Sequence, residues 1–498
     1  MGALFDWFRH AASEFPDSNV AAVCGEATYT YAEMDALSSR CALDLEYQGV
    51  RPDSLVGLAS VAGPMAQIAL LALSRIGAVP VPMPDSGEAE LARADRLGVA
   101  AVVDGKAVEE WLRSGHQIQL RRTGNGSRAE GFTGHGLAYV LATSGSTSAP
   151  KSVPISDTNL ESYARHLALR YGRFGQERIS QNFRPHFDAF FEVLLLAFAT
   201  GSTVVYPEGR EHLLVDEFIE RRRITVWDCV PSQIRLSARI GHLQPGRCAG
   251  VKLAIFGGES LTTALLQQWR QAAPNSVCVN TYGPTELTIV CAEYEIQPHQ
   301  PIPDYAGRVP IGAVLPHLDA RLEKVGGAAQ EVQELWVRGP QRFAGYLSDT
   351  ADDSSSAERN PWYRTGDLVE TTSHGLVWAG RTDSQVKILG QRVDLAAVEA
   401  HLLAVTGSTS VWVTVHNNSV CAVIESGSVG AEDDLRLQDL RDYARPARIV
   451  WIDNMPVTTN GKLDASRLRT ILHELDDAHV PAPRAIVWSD RDTSAAAP

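Results

Sequence analysis

Four short runs combine residue types and spacings that can do chemistry. In LATSGSTSAPKS (141–152) an apolar strand runs into Thr143, Ser144, Gly145, Ser146 and Thr147 and closes on Lys151. Small residues let backbone N–H groups approach an anion, hydroxyls donate and the lysine adds charge, so this run can hold phosphates. It is not a Walker loop, because Pro150 stands where that motif needs glycine. A solvated Ser/Thr-rich linker has the same composition. In NTYGPTE (280–286), Tyr282 at a strand end can stack on a planar ring and Glu286 can hold a hard cation such as magnesium. The competing reading is a simple turn capped by Thr285. YRTGDL (363–368) offers Asp367 to a ribose diol, and GRTDSQVKILGQRVD (380–394) follows it. Read singly, both are hairpin turns. NGKLD (460–464) puts Lys462 at the tip of a tight Asn-Gly turn, where one lysine is usually just solvated.

Such runs need elements to hold them. ITVWDCVPS (224–232) reads as a buried strand ending at Pro231, and VKLAIFGGES (251–260) as a strand running into a double glycine. LTTALLQQWRQAA (261–273) is helical, with Leu261, Leu265, Leu266 and Trp269 on one face. SVCVNTYGPTE (276–286) is again a strand, ending at a Gly-Pro turn. Alternating strands and helices make a parallel sheet, and ligands bind beyond the carboxyl ends of its strands. Asp228, Gly257, Gly258 and residues 282–286 therefore converge at one rim. Residues 26–82 alternate helical and strand-like stretches, whereas 85–134 is weaker and ends in loop-like sequence. After Gly312 the texture changes to short strands and Gly-rich turns. From Ser384 a second unit reads as α+β, with a helix over 395–405 among the strand-like runs QVKILG, VWVTV, CAVIES and ARIVWID.

Composition narrows the classes. With 498 residues, 44% hydrophobic and 21% charged, the chain is an ordinary globular protein able to bury a large core. A net charge of −14 argues against a nucleic-acid binder. Seven cysteines, odd in number and without C-x-x-C, suggest reduced thiols and a cytoplasmic location. The start, MGALFDWFRHAA, lacks a signal pattern. The most apolar stretches, 67–83 and 190–206, contain Arg75 and Glu192 and are too short to span a bilayer, so no membrane partner is expected.

Taken in order, the runs carry far more than any one of them. The sequence resembles the adenylate-forming enzyme superfamily, particularly adenylation domains of nonribosomal peptide synthetases, from TYTYAEMDALSSRCA near residue 28 to NGKLD. TSGSTSAPK looks like the family's phosphate loop, YGPTE its adenine and magnesium motif, YRTGDL its ribose motif, GRTDSQVKILG its hinge segment and NGK its C-terminal catalytic lysine. The sequence departs from the pattern at Ser148 and Ser152, where glycine is usual, and at Asp394, where glutamate is usual. The fold implied is α/β: a large N-terminal domain (1–383) with parallel sheets and a small barrel-like β part, a small mobile α+β C-terminal domain (384–475) and a flexible tail (476–498).

The resemblance implies two half-reactions: a carboxylate attacks the α-phosphate of ATP to give an acyl-AMP and pyrophosphate, then a phosphopantetheine thiol attacks the mixed anhydride. By the same resemblance, Lys462 bridges carboxylate and phosphate, and Glu286 carries magnesium. Thr143, Ser144, Gly145, Ser146, Thr147 and Lys151 hold the pyrophosphate, and Thr285 the α-phosphate. Tyr282 stacks on adenine, with Asn280, Gly257 and Gly258 at its edge. Asp367 and Arg381 take the ribose, and Asp383 is the hinge. Asp188, in RPHFDAFFEV, takes the substrate α-ammonium and so favours an amino acid. Counting along the family pattern places Glu192, Asp228, Thr281, Ile289 and Val290 in the pocket. Two further acids among apolar walls call for a second cation, because a buried unpaired carboxylate is costly. The substrate expected is lysine or β-lysine, then ornithine or diaminobutyrate. The alternative turns Glu192 into helix packing beside Arg184 or His186. Only about 34 residues follow NGKLD, none in a carrier-like setting, so the expectation is a free-standing enzyme of natural-product biosynthesis served by a carrier protein in trans. Two other readings stay open: a ligase whose adenylate an amine attacks directly, and activation of a non-basic amino acid.

Overall fold

The computed structural model describes the chain except residues 17, 124–134, 144–150, 325–331, 348–359, 383–384, 389–390, 407, 409, 426–436, 441, 454, 457–463, 477–484 and 488–498. Two compact units emerge, Met1–Thr143 with Lys151–Thr382, and a second from Asp383 onward.

The first unit is built on a nine-stranded sheet. Its order runs Ala313–Val314, Ala292–Ile296, Val277–Tyr282, Leu253–Phe256, Val226–Cys229, Arg178–Ser180, Thr203–Tyr206, Val20–Cys24, Ala27–Thr30. The six strands from Val277–Tyr282 to Val20–Cys24 are parallel, and the flanking ones antiparallel. Strands buried on both faces read as continuous apolar runs, and Leu253–Phe256, sequence LAIF, is buried throughout. Helix Ala189–Thr200 is buried without a break from Phe190 to Phe198, which suits an element enclosed on all sides. Asp188 caps it, accepting from the Ala189 N–H at 2.9 Å, and Gly201 ends it at φ +64°.

Within the weakly patterned stretch 85–134, the described residues include helix Glu88–Arg96, strand Ala101–Asp104 and helix Gly105–Ser114. That strand joins a second sheet in the order Val79–Met83, Leu55–Ala59, Ala101–Asp104, Leu120–Arg122. The helical signal is faint because Glu88–Arg96 is rich in charge, with Glu88, Glu90, Arg93 and Arg96 in nine residues. Strands Asp319–Lys324, Val332–Arg338, Tyr363–Thr372 and Gly375–Arg381 make an antiparallel four-stranded sheet.

The second unit pairs Gln385–Ile388 with Gln391–Asp394 in a hairpin, followed by helix Leu395–Thr406. Its four-stranded sheet runs Val411–His416, Ser419–Glu425, Arg448–Ile452, Ala485–Val487, and helix Ala465–Asp476 follows the segment containing Lys462. Of residues 476–498, expected as a flexible tail, 477–484 and 488–498 lie outside the described residues. The apolar triplet Ala485–Val487 pairs with Arg448–Ile452 as an edge strand, a run too short to stand out by periodicity. Among the described residues no helix is long and apolar enough to cross a membrane.

Candidate active site

The sheet brings the first set of candidates together. Register places Asp228 beside Ile255, Cys229 beside Phe256 and Phe256 beside Asn280, so Asp228, Gly257 and residues 280–282 lie at the carboxyl ends of three adjacent parallel strands. Gly257 is fixed by its neighbour: a Cβ there would come within 2.6 Å of Thr281 Oγ1, which itself donates to the Phe256 carbonyl at 3.1 Å. Gly258 takes φ +80°, a conformation that glycine adopts without penalty. Asn280 donates to the Pro310 carbonyl at 2.8 Å and the Val309 carbonyl at 3.3 Å. Its Oδ1 is buried with no hydrogen-bond partner among the described residues. A buried orphan acceptor is an invitation to a donor such as a ring amine.

The Asp367 carboxylate is held from three sides. Tyr282 donates its hydroxyl to Oδ2 at 2.7 Å, Arg381 sits 2.9 Å from Oδ2, and the Trp378 indole donates to Oδ1 at 2.8 Å. The antiparallel pairing of Asp367 with Arg381 across two strands creates the contact. Burial, and then the Asp367 charge, push the Tyr282 hydroxyl well above its usual range, so it stays a donor. The proposed ring platform and ribose acid are thus one hydrogen-bonded unit.

Lys151 and Glu286 are linked through a residue that sequence reading missed. Lys151 Nζ lies 4.7 Å from the Tyr346 ring centroid, and the Tyr346 hydroxyl donates to Glu286 Oε1 at 2.7 Å. Burial and the Glu286 charge raise the Tyr346 hydroxyl. Glu286 is fully buried, and the Phe343 N–H donates to its backbone carbonyl at 2.9 Å. Among the described residues no group of three or more His, Cys, Asp or Glu could hold a metal. One hard carboxylate oxygen donor suits magnesium, which normally takes one or two carboxylates and leaves its other positions to water and phosphate.

The pocket candidates come from helix Ala189–Thr200, strands Val226–Cys229 and Val277–Tyr282, and the turn after Glu286. Asp188 Oδ2 accepts from the Thr285 hydroxyl at 2.7 Å. Four residues along the helix, on the same face, Glu192 is buried and accepts from the Tyr163 hydroxyl at 2.7 Å. Among the described residues that bond comes from Tyr163, of helix Asp157–Tyr171, and not from Arg184 or His186. Asp228 is 1% exposed, and its Oδ2 has no partner among the described residues. Burial raises both carboxyls above the carboxylate range, Glu192 despite the favourable Tyr163 bond, and the Glu192 charge raises Asp228 further. An ionised Glu192 therefore makes ionising Asp228 harder still. Ile289 and Val290 are buried just past Glu286. Ser144, Gly145, Ser146, Thr147, Asp383 and Lys462 lie outside the described residues.

Tyr163, Tyr346 and Trp378 give no signal in sequence, since nothing local distinguishes a core aromatic from one whose polar tip orients a carboxylate.

Residues 8–347 match the family described as AMP-binding enzyme. The chain is 28% identical to a plipastatin synthase of Bacillus subtilis (strain 168) over 96% of its own length, and spans only 14% of that much longer protein. It is 30% identical to novobiocin biosynthesis protein H of Streptomyces niveus, covering 93% of this chain and 81% of that one. Its fold is similar to the Vibrio cholerae adenylation domain AlmE, solved with glycyl-adenosine-5'-phosphate, with a TM-score of 0.78, 24% identity, and coverage of 95% and 97%.

Proposed function

We propose, since this chain belongs to the AMP-binding enzyme family, that it activates a basic amino acid as its aminoacyl-AMP and passes the acyl group to a carrier thiol. Membership supports the reading as an AMP-forming ligase that uses ATP. The observation that carries the substrate class is the buried acid pair, Glu192 and Asp228, lying near Asp188 with one carboxylate oxygen unpartnered among the described residues. Asp188 receives the α-ammonium, and the pair receives a second ammonium at the side-chain end. Lysine and β-lysine suit the arrangement best, ahead of ornithine and diaminobutyrate.

The chemistry required is the meeting of two anions, a carboxylate and the α-phosphate, so the protein must neutralise charge and align the groups. In this reading residues 1–383 bind the nucleotide and the amino acid, and 384–475 deliver Lys462 to bridge their oxygens. Thr143 to Lys151 hold the leaving pyrophosphate, with Lys151, whose Nζ lies over the Tyr346 ring, supplying positive charge. Magnesium, held by Glu286 and the phosphates, would supply further neutralisation. Tyr282 and Asn280 orient the adenine, and Asp367 with Arg381 the ribose. The Thr285 hydroxyl, which donates to Asp188, would serve both the amino-acid and the phosphate subsites in this reading.

Hydroxylamine trapping tests the activation step: with ATP, lysine or β-lysine should yield far more hydroxamate than a neutral or acidic amino acid. A preference for a neutral or acidic amino acid would remove the basic pocket while leaving the ligase. For the second step, aminoacyl thioester on a phosphopantetheinylated carrier supports the carrier reading, and amide formed only with a free amine supports the direct ligase.

A further inference from the structure

The turn after Glu286 has an unusual backbone. Thr288 takes φ +57° and Ile289 φ +73°, two consecutive β-branched residues in the left-handed region. Such residues occupy that region only when their surroundings hold them there. The Val290 N–H donates to the Thr288 carbonyl at 3.0 Å across Ile289, giving the strained form of the γ-turn.

One side chain accounts for the hold. Gln341 is fully buried, and its Nε2 donates to the carbonyls of Val290 at 2.8 Å, Leu287 at 3.0 Å and Thr288 at 3.2 Å. The Thr288 hydroxyl donates back to the Gln341 carbonyl at 2.6 Å. On its other side Gln341 Oε1 meets His317 Nε2, which fixes the amide orientation. The flanking carbonyls of Pro340 and Arg342 accept from the Asn159 amide at 2.6 and 3.0 Å, so the turn carrying Gln341, just past strand Val332–Arg338, is itself anchored.

We propose that Gln341 is a positioning residue for the amino-acid pocket: its carboxamide holds the left-handed turn at Thr288 and Ile289, and through it the wall made by Ile289 and Val290. Without this amide the carbonyls of Leu287 and Val290 would lose its donation, and the Thr288 carbonyl would be left with the Val290 N–H of the strained turn. The turn would then relax toward ordinary φ values, carrying the wall with it. The functional half of this inference rests on the reading of Ile289 and Val290 as pocket wall; the structural half does not.

The test is Gln341→Met, which keeps the volume and removes the hydrogen bonds. Hydrogen exchange on the full chain should quicken at the amides of residues 287–291 by tenfold or more and stay unchanged in strand Leu253–Phe256. The amino-acid KM should rise about tenfold and the ATP KM less than about threefold, as binding of one substrate is disturbed more than the other. If Gln341→Met does not fold, His317→Phe gives the same readouts, with a rise of about threefold from a loosened amide. No exchange change at the turn, or equal change across turn and strand, overturns the clamp. A local exchange change with equal shifts in both KM values leaves the clamp standing and overturns the pocket-wall assignment.

Discussion

The acid pair makes substrate preference a function of pH. Burial raises both Glu192 and Asp228, so without a cation the pair retains protons that ordinary surface carboxyls lose. At Glu192 the Tyr163 hydroxyl favours the ionised form and opposes burial, whereas at Asp228 burial and the Glu192 charge both act upward and Oδ2 has no donor among the described residues. Lysine brings a cation and requires the pair ionised, so its binding expels protons. Norleucine, which lacks the terminal amine, expels none. The ratio of kcat/KM for lysine over norleucine should therefore climb about tenfold per pH unit for each proton expelled, since one pKa unit is ~1.36 kcal/mol. Above the raised pKa values it levels off. There norleucine leaves buried carboxylates without a cation, at a cost of ~3–5 kcal/mol, so the plateau should exceed about a hundredfold. Initial rates of pyrophosphate exchange, from about pH 6 to about pH 9 at saturating ATP, give the ratio directly. The α-ammonium contact is common to both substrates, so other titrations cancel. Glu192→Gln with Asp228→Asn should flatten the curve and remove most of the preference. A ratio that is flat in the parent protein, or that falls as pH rises, refutes the reasoning.

Lys462→Ala should lower adenylation by ~10²–10³-fold without changing the melting temperature; near-parental pyrophosphate exchange would end its catalytic assignment. Asp383→Pro should keep adenylation and impair thioester formation, because proline fixes φ near −65° at the residue about which the domains are expected to turn; equal losses in both half-reactions would argue against the hinge. Trp378→Phe removes the indole donor to Asp367 and keeps an aromatic ring. Losing a bond to a charged group is worth ~1.5–3 kcal/mol, so the ATP KM should rise about tenfold or more, and discrimination against 2'-deoxy-ATP should shrink. An unchanged ratio of the two nucleotides would show that Trp378 does not orient Asp367.

Sequence carries the sheet strands at 226–229, 253–256 and 277–282 plainly, because strands buried on both faces are largely apolar runs, interrupted here only by Asp228, Asn280 and Thr281, that end near glycine or proline. It carries the acids and lysines too, as motifs. What it hides is the support. Helix Glu88–Arg96 is masked by charge, and strand Ala485–Val487 is only three residues long. Tyr163 reaches Glu192 across 29 residues of chain, and Gln341 clamps a turn more than 50 residues earlier. No local pattern encodes such pairings. Nor does sequence announce φ values of +57° and +73° at a threonine and an isoleucine, residues whose propensities point elsewhere.

The central claim is that two buried acids select a second ammonium in an adenylating site. Amino-acid-dependent ATP–pyrophosphate exchange across a panel of proteinogenic amino acids, ornithine, diaminobutyrate and β-lysine tests it in one experiment. The fastest exchange is expected with a diamino acid, lysine or β-lysine first, and little with norleucine. Fastest exchange with a neutral or acidic amino acid would contradict it.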